Sequence, residues 1–327
     1  MAEFDLITLI RTRCSVVRED VRMGIGDDAA LLAPPVGQLL VVSTDSLVAG
    51  VHFPHGARAY DIGWKALAVN LSDLAAMGAT PAWATLTLTM PRADSRWVGE
   101  FADGFAALAA EFKLTLVGGD TTCGELNIGV CVHGFVPQDA ALLRAGARVG
   151  DAIFVTGTLG DAAAGLRCLD KDCDEAQRLF DAPADTREAL LTRLNRPTPR
   201  VAQGLALRGL ASACIDVSDG LLADLGHICA ASDVGAEIDV DALPASPALL
   251  RLFDSDARRA MQLSGGDDYE LCFTANAESA TSLLGDIARS GCAATRIGRI
   301  TAKPGVRAFD GYGKPVLVDR TGWEHFA

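Results

Sequence analysis

The stretch NLSDLAAMG, Asn70–Gly78, sets one aspartate inside a run of leucines and alanines, and the segments around it read as alternating strand and helix. Asp61–Met77 is alanine-rich, begins at an acidic residue and stops at Gly78, which predicts a helix. Asp73 is a poor helix former there, and a buried carboxylate without a partner is costly. Before it, Leu39–Ser43 is a short β-rich run, with Thr44 and Asp45 of the STDS segment (Ser43–Ser46) expected at the strand exit. After it, Trp83–Met90 alternates threonine with apolar residues as a half-buried strand does, and Arg96–Phe112 has helical periodicity after Pro91. Phe4, Ile7 and Ile10 predict an amphipathic helix at the start, GIGDDAA (Gly24–Ala30) a loop, and Thr115–Val117 and Asn127–Val136 further strands.

From Pro137 the pattern is lost, and a domain boundary is expected near Gly146–Gly150, dividing the chain into 1–147 and 148–327. The second half repeats the alternation, with strands near Ile153–Thr156, Ala213–Asp216, Ala236–Val240, Glu270–Thr274 and Arg296–Ile300, and a late hairpin about Gly311–Gly313. Cys168–Asp185 is polar, and Arg196–Arg200 carries two prolines, so this region is expected as a surface excursion. The fold class is α/β in two domains.

Asp73 is not alone. GIGDDAA, STDS, GGDTT (Gly118–Thr122), IDVSDG (Ile215–Gly220) and SGGDDYE (Ser264–Glu270) also place aspartates among glycines and small apolar residues, with lysine and arginine scarce. A hard divalent cation, which takes oxygen ligands and bridges carboxylates to substrate phosphates, is the economical partner for such acids. GGDTT and IDVSDG follow apolar strands and are expected to carry their acids at the strand ends, where loop-borne chemistry collects. The residues therefore point to magnesium-dependent handling of phosphate. GIGDDAA superficially fits a dinucleotide loop, but two central aspartates would repel a pyrophosphate.

The formal net charge of −13 and pI of about 4.8 disfavour non-specific binding to nucleic acid or anionic membranes. Nine cysteines without a C-x-x-C pair suggest buried thiols in a reducing compartment and make zinc an unlikely occupant. With no basic start and cleavable apolar region, and no apolar run near the roughly 18 residues a span needs, a cytoplasmic location is expected. P-loop, nucleophile-elbow and H-E-x-x-H motifs are missing. His133 and His227 read as structural, in a strand and a helix, whereas His52 follows the STDS segment and is the better functional candidate.

In order and wording these stretches resemble the thiamine-monophosphate kinase family, within the superfamily typified by aminoimidazole ribonucleotide synthetase. The likeness runs through GIGDDAALL, STDSLVAGVHF, KALAVNLSDLAAMGATPAW, GGDTT, HGFVP, VTGTLGDAAAGL, IDVSDGLLADLGHI, SGGDDYELCF and GWEHF, but Cys168–Arg193 carries none of the family's wording. The resemblance implies an N-terminal domain that binds ATP and magnesium and pairs its strands across a homodimer, and a C-terminal α/β domain that completes the active site. It places several magnesium ions on Asp28, Ser43, Thr44, Asp45, Asp73, Asp120, Asp216 and Asp219, ATP on Gly119, Asp120, Arg144 and Ser218, and thiamine monophosphate on His52, Asp267 and Trp323. The family more commonly has Glu at the position of Asp267 and often Tyr at that of Trp323; both changes keep charge or aromaticity and bear on contact geometry more than on substrate class.

The implied acceptor is a phosphate monoester whose second pKa is about 6, so it is largely a nucleophilic dianion at neutral pH and needs no catalytic base. The resemblance thus implies direct in-line transfer to give thiamine diphosphate and ADP without a phosphoenzyme. Other superfamily enzymes are the competing reading: a selenophosphate synthetase is expected to carry a reactive cysteine or selenocysteine near the N-terminus, a setting Cys14 lacks, and a hydrogenase maturation protein to end in cysteine where this sequence reads Trp-Glu-His-Phe-Ala. A non-catalytic metal- or nucleotide-binding protein would account for the acids but not for the whole-chain likeness.

Overall fold

A computed structural model of the chain describes residues 3–170 and 176–326. The strands are β1 (Val21–Met23), β2 (Leu31–Leu32), β3 (Gln38–Val48), β4 (Thr80–Met90), β5 (Thr115–Cys123), β6 (Asn127–Pro137), β7 (Ala152–Thr156), β8 (Ala213–Val217), β9 (Gly235–Asp239), β10 (Glu270–Ala275), β11 (Ala294–Thr301), β12 (Gly305–Phe309) and β13 (Pro315–Val316). Two compact units form, one from the chain up to Leu74 with Ala79–Ala141, the other from Ala75–Gly78 with Leu142 onward.

The N-terminal unit is built on a four-stranded sheet in the order β3-β6-β4-β5, in which only β4 and β5 run parallel. On one face Ile128, Val130 and Val132 of β6 and Ala84, Leu86 and Leu88 of β4 lie beneath helices Ala59–Ala76 and Ser95–Glu111, while on the other Trp83 and Phe135 are buried with Val21 and Leu32 packed against them. These helices meet closely at Gly63 and Gly104, since a Cβ on Gly63 would stand 2.0 Å from Phe101 O and one on Gly104 1.9 Å from Tyr60 O. The second helix starts cleanly because the Asp94 carboxylate accepts from Arg96 N and Trp97 N, both at 3.1 Å.

The opening helix forms as expected with its buried face shifted, and the ends of two strands lie beyond the acids expected to mark them. The opening helix, Glu3–Cys14, buries Leu6, Ile10 and Cys14 at four-residue spacing, while Phe4 is exposed. STDS does not leave its strand, because β3 continues to Val48 and pairs with β6 from Gln38 through Val48. Likewise Asp120 of GGDTT lies within β5 rather than at its end.

The C-terminal unit carries a seven-stranded sheet in the order β13-β12-β9-β11-β7-β10-β8. Strands β7, β8 and β10 are buried along their whole length, including the polar Thr156, Asp216, Glu270 and Thr274 among their apolar residues. One face packs Ile153, Val155, Ile215 and Val217 against Leu221, Leu225 and Ile228 of helix Leu221–Ser232. On these central strands Phe154 and Phe273 also stack, with ring centroids 5.2 Å apart. The late hairpin is present as β12 and β13. The expected excursion Cys168–Asp185 is partly core: Leu179 is buried with Leu190 and Met261, while residues 171–175 lie outside the described ones.

Candidate active site

In the N-terminal unit, the helix Ala59–Ala76 lays Asn70 and Asp73, one turn apart, against β3. The Ser43 hydroxyl donates to Asp73 Oδ2 at 2.5 Å, and Asp45 N donates to Asn70 Oδ1 at 3.0 Å. Asn70 is itself fixed by donating to Ala66 O at 2.9 Å. Strand alternation turns Ser43 and Asp45 toward this helix and Thr44 toward the opposite face, where its hydroxyl donates to Val130 O at 3.1 Å. Asp120 pairs in register with Thr87, which shares a row with Gly129 and Ser46, on the face toward which Thr44 turns. Gly119 has φ of +152°, and a Cβ there would stand 1.9 Å from Leu86 O, so the bend before Asp120 needs glycine. Asp28 is exposed in the GIGDDAA loop, its N–H donating to Asp27 Oδ1 at 2.8 Å.

His52 closes the turn after β3, with Nδ1 accepting from Val48 N at 3.0 Å and its carbonyl accepting from Lys65 Nζ at 3.1 Å. Lys65 and Asn70, both buried, were not singled out by the sequence reading. Among the described residues no three His, Cys, Asp or Glu side chains converge to hold a metal ion by themselves. Magnesium commonly takes one or two carboxylates and completes its shell with water and phosphate oxygens. The Ser43–Asp73 pair with neighbouring Asp45 is an all-oxygen donor set of that size, and it fits.

In the C-terminal unit, Asp216 lies buried in β8, and Ser218 and Asp219 follow directly. The buried Asp224 carboxylate gathers this turn, with Oδ2 accepting from Ser218 N (3.0 Å), Asp219 N (3.1 Å) and Gly220 N (3.1 Å). Burial pushes Asp224 up to about 7, against the pull of those N–H groups. Asp267 N donates to Ser218 O at 2.8 Å, and Trp323 N to Asp219 O at 3.0 Å. The unit thus collects Asp216, Ser218, Asp219, Asp267 and Trp323 at the carboxyl end of β8, with the indole 53% exposed. Arg144 is exposed elsewhere: its neighbour Leu143 accepts from Cys214 N, at the amino end of the same strand.

Behind the Asp267 loop lies a buried network that no motif announced. Glu270, fully buried, accepts from Arg200 through two bonds of 2.6 Å, from Arg193 Nη2 at 2.8 Å and from Thr156 Oγ1 at 2.7 Å. Asp268, also buried, accepts from Gly160 N at 2.7 Å, and burial holds its carboxyl well above the usual carboxylate range. The SGGDDYE wording exposed the acids, but their arginine partners come from about 70 residues away and left no local signal.

The fold and these acid-bearing turns place the chain in the class of AIR synthase related proteins: the N-terminal domain of that family matches residues 26–136 and the C-terminal domain residues 148–311. The chain is 48% identical to the thiamine-monophosphate kinase of Escherichia coli K12 over 325 residues, covering 99% of this chain and 98% of that protein. A crystal structure of the thiamine-monophosphate kinase of Stenotrophomonas maltophilia K279a superposes with a TM-score of 0.87 at 50% identity, covering 97% of this chain and 98% of the other. AaThiL, solved as a complex with AMPPCP and TMP, superposes with a TM-score of 0.77 at 32% identity, covering 99% of this chain and 97% of that one. The chain belongs to the thiamine-monophosphate kinase family.

Proposed function

We propose that the chain transfers the terminal phosphoryl group of ATP to thiamine monophosphate, giving thiamine diphosphate and ADP. The observation that carries this reading is that 48% identity to a thiamine-monophosphate kinase extends over 99% of the chain, so both acid-bearing units are included. The acceptor phosphate is nucleophilic at neutral pH without a base. What remains for the protein is to hold two polyanions in line and offset their charge.

In this reading Asp28, Ser43, Thr44, Asp45, Asp73, Asp120, Asp216 and Asp219 are the magnesium ligands. Bound magnesium would neutralise phosphate charge in the ground and transition states. The hydrogen bonds from Ser43 to Asp73 and from Asp45 N to Asn70 hold oxygen donors in place before nucleotide arrives. Gly119, Asp120 and Ser218 contact ATP, Arg144 reaches it from the opposite end of β8, and His52, Asp267 and Trp323 contact the acceptor. The Val48 N–H fixes the His52 ring through Nδ1 at 3.0 Å.

A homodimer joined through the N-terminal sheets accompanies this reading. Among the described residues β3 pairs only with β6, and it exposes Leu39, Leu40 and Val42, an edge that invites a second chain. Eight described cysteines are free thiols, which suits a reducing cytoplasm. Incubation with magnesium, ATP and thiamine monophosphate tests the function. Equal amounts of thiamine diphosphate and ADP, both abolished by chelation, are expected; ADP without thiamine diphosphate would overturn the substrate assignment.

A further inference from the structure

The segment Cys168–Arg193, which carries no family wording, delivers one side chain to the acceptor loop. Arg193, on helix Ala184–Asn195, has a side chain 19% exposed, and its Nη2 donates both to Asp268 O at 3.1 Å and to Glu270 Oε1 at 2.8 Å. Those two acceptors bracket Tyr269 and stand immediately after Asp267. The loop they belong to, Gly265–Tyr269, is backbone under strain: Asp267 has φ of +69° and Tyr269 φ of +50°, a region that side-chain-bearing residues hold only when their surroundings fix them.

Within the loop the Tyr269 hydroxyl donates to Asp267 Oδ1 at 3.1 Å, and further contacts come from two sides. Toward β8, Asp267 N donates to Ser218 O and Tyr269 N to Val217 O, both at 2.8 Å. Away from β8, the Asp268 carboxylate is held by Gly160 N and the Asp268 carbonyl by Arg193. Among the described residues Arg200 bonds the Glu270 carboxylate, where the strand has already begun. Arg193 is therefore the guanidinium that ties the strained loop itself to the buried carboxylate beneath it. Both bonds leave Nη2, whose two N–H groups are fixed in the guanidinium plane, whereas the ammonium of a lysine rotates freely.

We propose that Arg193 is a positioning residue for the acceptor: it holds Asp267 in register through the Asp268 backbone and the Glu270 carboxylate. This rests on the kinase reading, in which Asp267 meets thiamine monophosphate. Steady-state kinetics with each substrate varied in turn, together with melting curves, tests it on Arg193→Gln, Arg193→Lys and Asp267→Ala. Arg193→Gln is expected to raise the KM for thiamine monophosphate about tenfold, as displacement of a binding group does, with the KM for ATP unchanged. Arg193→Lys should recover part of that loss, and Asp267→Ala should raise the same KM.

An unchanged acceptor KM in Arg193→Gln, beside a raised one in Asp267→Ala, would overturn the positioning role alone. Both KM values rising together with a lowered melting temperature would reduce Arg193 to a general stabiliser and overturn it as well. An unaffected Asp267→Ala would remove the assignment on which the proposal rests. Should Arg193→Gln not fold, Arg193→Lys decides by the same comparison: a rise confined to the acceptor KM supports the role, and no rise or a parallel rise contradicts it.

Discussion

Asp73 stands where a helix meets an edge strand, accepting the Ser43 hydroxyl at 2.5 Å within one helical turn of the Asn70 amide that holds Asp45. In the proposed reading both acids hold magnesium, and replacing either by asparagine keeps its shape while removing the negative charge that binds the cation. Asp73→Asn and Asp45→Asn are each expected to lower kcat about a hundredfold or more, with the melting temperature unchanged or raised; near-normal turnover would make these acids structural. Trp323 is a separable case, because its backbone docks on Asp219 while its indole stays half exposed. An aromatic face attracts a cation such as the thiazolium by roughly 0.5–2 kcal/mol. Trp323→Ala should raise the acceptor KM about tenfold on that basis and spare the KM for ATP, whereas a parallel rise with lower thermal stability would mark a packing role. An acid that interrupts apolar sequence marks a carboxylate with a specific partner, as Asp73 has in the Ser43 hydroxyl. The same signal in LLADLGHI was passed over, and it marks Asp224, whose carboxylate shapes the Ser218–Gly220 turn.

At the scale of elements, β3 shows why polar wording misleads. Ser43, Thr44, Asp45 and Ser46 look like a turn, yet pairing with β6 over eleven residues satisfies the backbone, and alternation sends Ser43 and Asp45 to the helix. The sheet's other face holds His133, in register with Val42 on one side and Trp83 on the other. Its Nδ1 is buried with no hydrogen-bond partner among the described residues. Burial pushes the imidazole below its ordinary 6.5, opposed by a backbone bond at Trp83. As pH falls through 6.5 the unfolded chain takes up the proton first, so this site contributes stability above that pH and loses it through the lowered folded value. The difference in unfolding free energy between the parent protein and His133→Gln, measured by denaturant titration at each pH, should therefore shrink as pH is lowered from 7.5 to 5; a pH-independent difference would contradict the burial argument.

For the whole molecule, the alternation of strands and helices was legible because periodicity is local, and the central strands were found close to their observed bounds. The order β13-β12-β9-β11-β7-β10-β8 was not, since it rests on pairings such as β10 with β7 that join residues more than 100 positions apart. The Arg193–Glu270 network was hidden for the same reason, being 77 residues long in sequence and one hydrogen bond long in space. The exposed edge of β3 leads to an expected homodimer at micromolar concentration by sedimentation, and a fully active monomer would remove that expectation. In the proposed reaction the phosphoryl group passes directly between two phosphates, with no group on the protein as an intermediate carrier. A single turnover with ATP labelled in its γ-phosphate, quenched at intervals, follows that phosphate atom by atom. All label that leaves ATP should pass into the terminal phosphate of thiamine diphosphate with none on the protein; label bound to the chain before product forms, or released as inorganic phosphate, would contradict the account.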